Sequence, residues 1–518
     1  MSDQGVRFLL AEHCSSQDIR QCLSRIRISR IVAPVVMKRR VMDSFDWRLF
    51  RKGGVIEEIH QGSRTGTGWR EIERDKLTKP LLPGAAPRFA SEYPAGPLRQ
   101  YMLSVLGVRA LVPVVDIESH LHEIHALNED DKTIVRIFLE HHLAGRPRTD
   151  VASFANCLLI EPIRGYRDEF RHIKRHLKRH LNLRVPARPV IWQALDVIGR
   201  APMDYSSKLD IPLDGEIPAY VAVGRVLRQL FDTMEANEHG LINDIDPEFL
   251  HDFRVAIRRI RCVLRQLRHV LPSQATGCFL NEFGWLGRMT GTARDLDVYL
   301  LQFPDYEALL SARLCEGLLP LRRLLEQRAV REKRQLAEYL NSERYRSLKR
   351  EGRRFLEQLA MGEPLALEAE KPIRCIADVR IEKMLRRVLK EGKAIDRHSP
   401  PEALHKLRKS CKKLRYLMEL FRHLYPKEEM RRLIGALKRL QDNLGELQDL
   451  AVQASTLRTL SEELTTMGDA EETSRQAMET LVQYLQRRHD AVCADFAVQF
   501  RMFVSPKNRH RFKQMLAR

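Results

Sequence analysis

Two segments of this 518-residue sequence carry histidine, arginine and lysine at helical spacing. In the first segment a cationic side chain recurs every three or four residues, and in the second the same spacing is interrupted once, by Glu419. This spacing places each series on one face of a helix. The first ladder is His251, Arg254, Arg258, Arg261, Arg265 and Arg268, and the second ladder is His405, Arg408, Lys412, Arg415 and Arg422. Stacked like charges repel one another, so such a surface is stable mainly when acidic side chains or a bound polyanion neutralise it. The chemistry that these residues offer is anion binding.

The two ladders belong to an internal repeat. Residues 251–298 align without a gap on residues 405–452, and 11 of the 48 pairs are identical. Both copies keep an Arg-His-x-x-Pro ending, at 268–272 and 422–426, and a Gly-x-x-x-Asp-Leu-x-Val segment. Chance similarity between two basic helices would preserve their composition but not both of these endings. The sequence therefore predicts a duplicated unit that forms two helical bundles with approximate twofold symmetry.

An apolar stripe lies beside each ladder, one residue or about 100° round the helix. The stripes are Phe253, Ile257, Ile260, Leu264, Leu267 and Leu271, and Leu404, Leu407, Cys411, Leu414, Met418 and Phe421. The ladders are thus predicted to border the packed interior, and Arg259 and Lys413 to project away from them. Gly291 and Gly445 are interpreted as sites of close helix approach. Asp295 and Asp449 are expected to orient ladder arginines, and three further cations are expected to extend the basic groove: Arg288, Arg294 and Arg439.

Overall composition agrees with a polyanion as the partner. Lys and Arg number 88 against 68 Asp and Glu, a formal net charge of +20, which favours polyanionic partners over cationic or neutral ones. With 44% hydrophobic and 30% charged residues, the chain has ordinary globular composition, which excludes a disordered or collagen-like protein. No apolar run reaches about 18 residues and no secretory signal is visible, so a soluble, cytoplasmic protein is expected. The nine cysteines are scattered without C-x-x-C spacing, so neither a disulfide framework nor a zinc site is predicted.

The pattern of apolar residues, glycine and proline changes near residue 210. Residues 1–200 hold short apolar runs punctuated by glycine and proline, which predicts an α+β domain, with a helix at about 166–181. Residues 201–215 are expected to form a linker. Residues 216–505 carry apolar residues at 3,4 spacing almost throughout, which predicts an all-α domain with repeat units at about 216–365 and 371–505.

The paired H-x-x-R-x-x-x-[RK] helices, the Arg-His-x-x-Pro endings and the Gly-x-x-x-Asp-Leu segments together resemble the CHAD domain, the conserved-histidine α-helical domain, over roughly residues 213–500. The resemblance implies two four-helix bundles related by pseudo-symmetry, whose basic surface binds inorganic polyphosphate. By that match, the residues of both ladders carry the binding, and the protein is expected at polyphosphate granules.

The first 200 residues resemble the CYTH domain, the triphosphate-tunnel β-barrel, at residues 43–54, 128–136 and 161–166. The opening Glu-x-Glu-x-Lys of that family is missing, because residues 7–12 read Arg-Phe-Leu-Leu-Ala-Glu. Without paired carboxylates on one strand, a degenerate barrel with no catalytic residue, metal or cofactor is expected. His172, His176 and His180 stand at i, i+4 and i+8, but the surrounding cations oppose metal binding, so a solvated or anion-facing helix is expected there.

Three alternatives to polyphosphate binding remain at this stage. One is a triphosphatase acting through the N-terminal barrel. A second is a nucleic-acid binder, which the placement of Phe253 and Phe421 on core faces disfavours because base stacking needs exposed aromatic rings. The third is a helical protein whose ladders form ordinary surface salt bridges, with no anion ligand. His251 and His405 are equally compatible with helix capping and with anion contact.

Overall fold

In the computed structural model, residues 5–10, 14–25, 28–73, 76–362, 366–396, 399–467 and 471–516 are described. Ala11 and Glu12, which end the degenerate opening motif, lie outside the described residues. The chain divides into two compact units, Met1–Ser206 and Ser207–Arg518. No helix among the described residues has both the length and the apolar character needed to cross a membrane.

An antiparallel sheet forms the first unit. Its strands run in the order β1-β9-β8-β7-β3-β4-β5-β6, and β2 pairs with β7. The described strands are β1 (Val6–Leu9), β2 (Ile28–Ile31), β3 (Val35–Asp43), β4 (Gly54–Gln61), β5 (Arg64–Glu71), β6 (Lys76–Pro83), β7 (Val112–Leu127), β8 (Thr133–Gly145) and β9 (Ala152–Pro162). The helices of this unit are α1 (Ser16–Ser24), α2 (Pro97–Leu106), α3 (Arg167–His180) and α4 (Val190–Val197). Helix α3 confirms the helix predicted at about 166–181.

The sheet is open within the described part of the chain, so the closed barrel implied by the resemblance is not observed. Its edges, β1 and β6, are not paired with each other. Strand β1 has only four residues, and β6 includes Pro80 and Pro83, which have no N–H to donate to a further strand. Short strands and prolines are features that keep a sheet edge from pairing.

The second unit is built from helices. They are α5 (Ala219–Ile242), α6 (Pro247–Gln266), α7 (Ser273–Met289), α8 (Gly291–Ala308), α9 (Ala312–Glu316), α10 (Leu319–Leu340), α11 (Glu343–Met361), α12 (Ile373–Lys393), α13 (Pro401–Leu420), α14 (Lys427–Met467), α15 (Glu472–Phe503) and α16 (Pro506–Leu516). The spacing predicts one helix over 276–302, but α7 and α8 divide at Thr290. The Thr290 side chain bonds back to the carbonyl of Leu286 (2.9 Å), a local contact that competes with helix continuation.

The two hydrophobic cores of this unit are each drawn from both repeats. The larger core joins α5, α6 and α7 of the first repeat to α12, α13 and the start of α14 of the second. The smaller core joins α8, α9 and α10 to the rest of α14 and to α15. The cores therefore do not divide by repeat, and each ladder helix packs within a core shared by the two copies.

Candidate functional site

Helix α6 carries most of the first ladder. It begins after Asp246, whose side chain caps the helix by accepting a hydrogen bond from the N–H of Glu248 (2.9 Å). All six residues of the predicted apolar stripe are buried, which confirms that the ladder runs beside the packed interior. His251, Arg254 and Arg261 are half-buried, and Arg258 and Arg265 are exposed. Arg268 lies beyond the helix end and is exposed, with its Nε donating to Nε2 of His269 (3.3 Å).

Helix α13 carries the second ladder. Its predicted apolar stripe is buried from Leu407 to Phe421, and Leu404 is partly buried. His405, Arg408, Lys412 and Arg415 are half-buried on the neighbouring face. Arg422 follows the helix, in the short 3-10 turn Arg422–Leu424.

The structure brings the two ladders together at Lys412. Helices α6 and α13 pack against each other, and Lys412 lies close enough to Arg258 of the first ladder to be affected by its charge. Burial, followed by the charges of Arg408 and Arg258, lowers the pKa of Lys412 to about 8. The low pKa of Lys412 thus reflects burial first and the neighbouring cations second, and the carboxylate of Asp449 opposes both.

Arg259 and Lys413 lie at the same helix junction, although the sequence was interpreted as pointing them away. Arg259 donates to the carbonyl of Ser207 (2.8 Å) and forms an ion pair with Glu419 of α13 (3.6 Å). Burial lowers the pKa of Lys413, and Arg387 and Arg265 lower it further. Arg259 and Lys413 occupy equivalent positions in the two copies of the repeat, and this equivalence is the sequence signal that could have placed them together.

Two half-buried arginines of the first ladder reach toward α7. Nη1 of Arg254 donates to the carbonyl of Gly287 (3.2 Å) and to Oγ1 of Thr290 (2.8 Å). Burial, and then the charge of Arg258, lowers the pKa of Arg254 to about 10. Burial also lowers the pKa of Arg261, whose buried Nε has no hydrogen-bond partner among the described residues. These are cations held partly dehydrated, a state that an anionic ligand relieves.

The glycines of the repeat leave room beside the ladders, and the interpretation that they allow close helix approach is wrong. A Cβ added at Gly445 would meet nothing within 4 Å, and one at Gly291 would meet only Nη1 of Arg254, at 3.8 Å. A closer contact occurs at Gly287 of α7, where an added Cβ would lie 3.0 Å from Nη1 of Arg261.

A cleft of about 450 Å³ borders the second ladder. Arg408, Lys412 and Arg415 line it on the α13 side, and Gly445 and Asp449 line it on the α14 side. Asp449 pairs with Nη2 of Arg408 (3.2 Å), which confirms its predicted role. Its counterpart in the first repeat, Asp295, is near Arg254 and Arg294 but forms no ion pair in the described structure.

The two ladders differ in how far they are already neutralised. In the second, Arg415 pairs with Glu419 (3.4 Å) and Arg422 pairs with Asp210. His405 Nδ1 donates to Oε1 of Gln448 (2.6 Å). In the first, no ion pair forms within the described residues at three positions: Arg258, Arg265 and Arg268. The first ladder is therefore the more exposed positive surface.

The three additional cations predicted for the groove have different environments. Arg288 is exposed and close enough to Arg261 to lower its pKa. Arg294 donates to the carbonyl of Pro247 (3.3 Å) and so holds the start of α6. Arg439 is exposed on α14, and no contact joins it to either ladder in the part of the chain described.

Comparison with known proteins agrees with the helical unit. A family model, the CHAD domain, matches residues 225–458, and the chain therefore contains a CHAD domain. The crystal structure of the CHAD domain from the plant Ricinus communis is similar, with a TM-score of 0.48 and 24% sequence identity, over 57% of this chain and 94% of that chain. PptA from Streptomyces chartreusis is similar with a TM-score of 0.43 and 15% identity, over 55% of this chain and 99% of that chain. No curated protein matches the sequence.

Proposed function

We propose that the CHAD domain of this chain binds inorganic polyphosphate along both ladders, and that this binding attaches the protein to polyphosphate deposits. The observation that carries the proposal is the crowding of Lys412 against Arg408 and Arg258, one on each ladder. Cations from two helices whose equivalent positions lie 154 residues apart in sequence are held together, beside a cleft that Asp442, Glu446 and Asp449 also line. A chain of phosphates supplies negative charge along the whole series.

Binding of this kind is electrostatic. Each guanidinium can donate two hydrogen bonds to the non-bridging oxygens of a phosphate, and Lys412 acts as a point charge. Because the phosphate chain releases its counterions when it binds, affinity falls as salt rises. Such contacts recognise the spacing of charges and carry no information about bases.

The two ladders have unequal roles in this proposal. Phosphates meet the first ladder where Arg258 and Arg265 have no carboxylate partner among the described residues. At the second ladder they compete with Asp449 for Arg408 and with Glu419 for Arg415. The first ladder therefore provides most of the initial attraction, and the second completes the site by exchange of ion-pair partners.

Titration calorimetry of the full chain with polyphosphate tests the proposal. The ladder variant combines Arg258→Ala, Arg265→Ala, Arg288→Ala and Lys412→Ala, four cations without an ion pair in the described structure. Arg254 is kept because it also bonds the end of α7. The control variant removes the same charge from exposed positions on α11 and α12: Arg346→Ala, Arg350→Ala, Lys383→Ala and Arg386→Ala. The ladder variant should bind at least tenfold more weakly than the control.

Equal binding by the two variants would show that net charge alone is responsible and would overturn the assignment to the ladders. Absence of saturable binding by the natural chain would overturn the proposal itself. Competition with single-stranded DNA, at equal phosphate concentration, separates polyphosphate from nucleic acid. We expect DNA to compete poorly, because Phe253 and Phe421 are buried and offer no face for base stacking.

A further inference from the structure

Cys22, His176 and His180 converge on the surface of the first unit. Each offers one ligand atom, and the three atoms lie within 4.8 Å of one another. The two histidines stand one turn apart on α3, with ring centroids 4.2 Å apart, and Cys22 comes from α1. The two helices are fixed in place by the buried side chains of the same core: Ile19, Leu23, Ile173 and Leu177.

Hydrogen bonds to the backbone set the tautomer of both imidazoles. Nε2 of His176 lies 3.1 Å from the carbonyl oxygen of Cys22, and Nδ1 of His180 lies 2.9 Å from the carbonyl oxygen of His176. A carbonyl oxygen only accepts, so each of these nitrogens carries the proton. Nδ1 of His176 and Nε2 of His180 keep their lone pairs. Imidazoles that bind a metal usually donate their other N–H to a carbonyl or carboxylate in this way.

From this geometry we propose that Cys22, His176 and His180 form a binding site for Zn²⁺. One thiolate and two imidazoles are ligands that zinc favours, and three protein ligands leave one position of the tetrahedron for water. The site is independent of the ladders and of polyphosphate.

The cations of α3 oppose the metal less than their number in the sequence suggests, although the charge of Arg25 also acts on Cys22 and His176. Along α3 itself, arginine and lysine surround the histidines. In the structure Arg171 pairs with Asp168 (3.0 Å), and Lys174 lies over the ring of Phe170, 5.3 Å from its centroid. Cys22 of α1 is buried, and burial raises the pKa of its thiol. The metal therefore displaces the thiol proton when it binds, and the resulting thiolate supplies a negative charge that α3 lacks. His172 is exposed and is not part of the group.

A second cluster in the same unit, Glu140, His142 and Cys157, is already occupied by a protein cation. Nε of Arg7 donates to Oε2 of Glu140 (2.7 Å), and Nη2 donates to Oε1 (3.3 Å). Because both carboxylate oxygens are taken by the guanidinium, the Cys22 cluster is the better metal site.

Metal titration of the full chain, stripped with a chelator, tests the proposal. Co²⁺ serves as a spectroscopic probe and should give a thiolate charge-transfer band and tetrahedral ligand-field bands at one equivalent, both removed by added Zn²⁺. Cys22→Ser should abolish the charge-transfer band, and His180→Gln should weaken Zn²⁺ binding at least tenfold. His180 is exposed, so its replacement leaves the fold intact, as circular dichroism will verify. The matched controls His172→Gln and Cys278→Ser should bind as the natural chain does. A charge-transfer band that persists in Cys22→Ser, or equal binding by His180→Gln and His172→Gln, would overturn the assignment.

Discussion

The affinity for polyphosphate should fall as the pH rises through 8, because Lys412 then loses its proton in the free protein. Lys412 is acted on by Arg408 and Arg415 of its own helix, by Arg258 of α6 and by the carboxylate of Asp449. Burial and these cations lower its pKa to about 8. A bound phosphate chain reverses the local charge and raises the pKa of the ammonium. Binding therefore takes up a proton, and affinity is lost above the pKa of the free state.

The size of the effect follows from this pKa. Lys412 is about nine-tenths protonated at pH 7 and about one-tenth protonated at pH 9. Since the bound form keeps its proton, the association constant should fall about tenfold between these two pH values. At pH 8 the complex should take up about half a proton as it forms.

Calorimetry in two buffers with different ionisation enthalpies measures both quantities, the affinity and the protons taken up. Lys412→Arg keeps the charge at every pH in this range, so its affinity should remain nearly constant from pH 7 to pH 9. Lys409→Arg, on the exposed face of α13, is the matched control and should retain the fall. The comparison also separates Lys412 from Lys413, whose pKa is lowered too. An equal fall in Lys412→Arg and the natural chain would refute the reasoning.

Two further predictions concern α14. Asp449→Asn releases Arg408 from its ion pair, so polyphosphate affinity should rise about two- to fivefold. The control Asp305→Asn on α8 should leave the affinity unchanged. If calorimetry shows weaker binding by Asp449→Asn, the proposed exchange of ion-pair partners is contradicted. Gly445→Ala fills space that holds no neighbour within 4 Å, so the free energy of unfolding should rise by roughly 0.5–1 kcal/mol, and urea denaturation that shows reduced stability would mean that the glycine is needed for packing.

Helical periodicity predicted the faces of α6 and α13 correctly. The stripe from Phe253 to Leu271 is buried because a 3.6-residue period determines which side chains share a face. The break at Thr290 was missed, since a threonine that bonds the preceding turn leaves no mark in the apolar pattern. The prediction of close helix approach at Gly291 and Gly445 was wrong, because the space beside a glycine depends on side chains from other helices.

The features that the sequence did not predict depend on contacts between segments that lie far apart in the chain. That Lys412 meets Arg258, and that Arg259 pairs with Glu419, depends on how α6 and α13 pack, which periodicity within one helix does not determine. The same limit applies to Cys22, which reaches His176 only because α1 and α3 share a core. In the first unit, short apolar runs between glycines and prolines predicted an α+β domain. The closed barrel came from the family resemblance alone, and the structure shows instead an open sheet whose edge strands are short or contain proline.

The most direct test of the central claim is the salt dependence of polyphosphate affinity in the natural chain and the ladder variant. If the four replaced cations bind phosphates, the slope of log K against log salt should become shallower by about 3 in the variant, at roughly 0.7 for each phosphate that is no longer neutralised. The control variant from α11 and α12 should keep the slope of the natural chain. Identical slopes in the natural chain and the ladder variant would show that the ladder cations do not touch the phosphate chain, and would contradict the account.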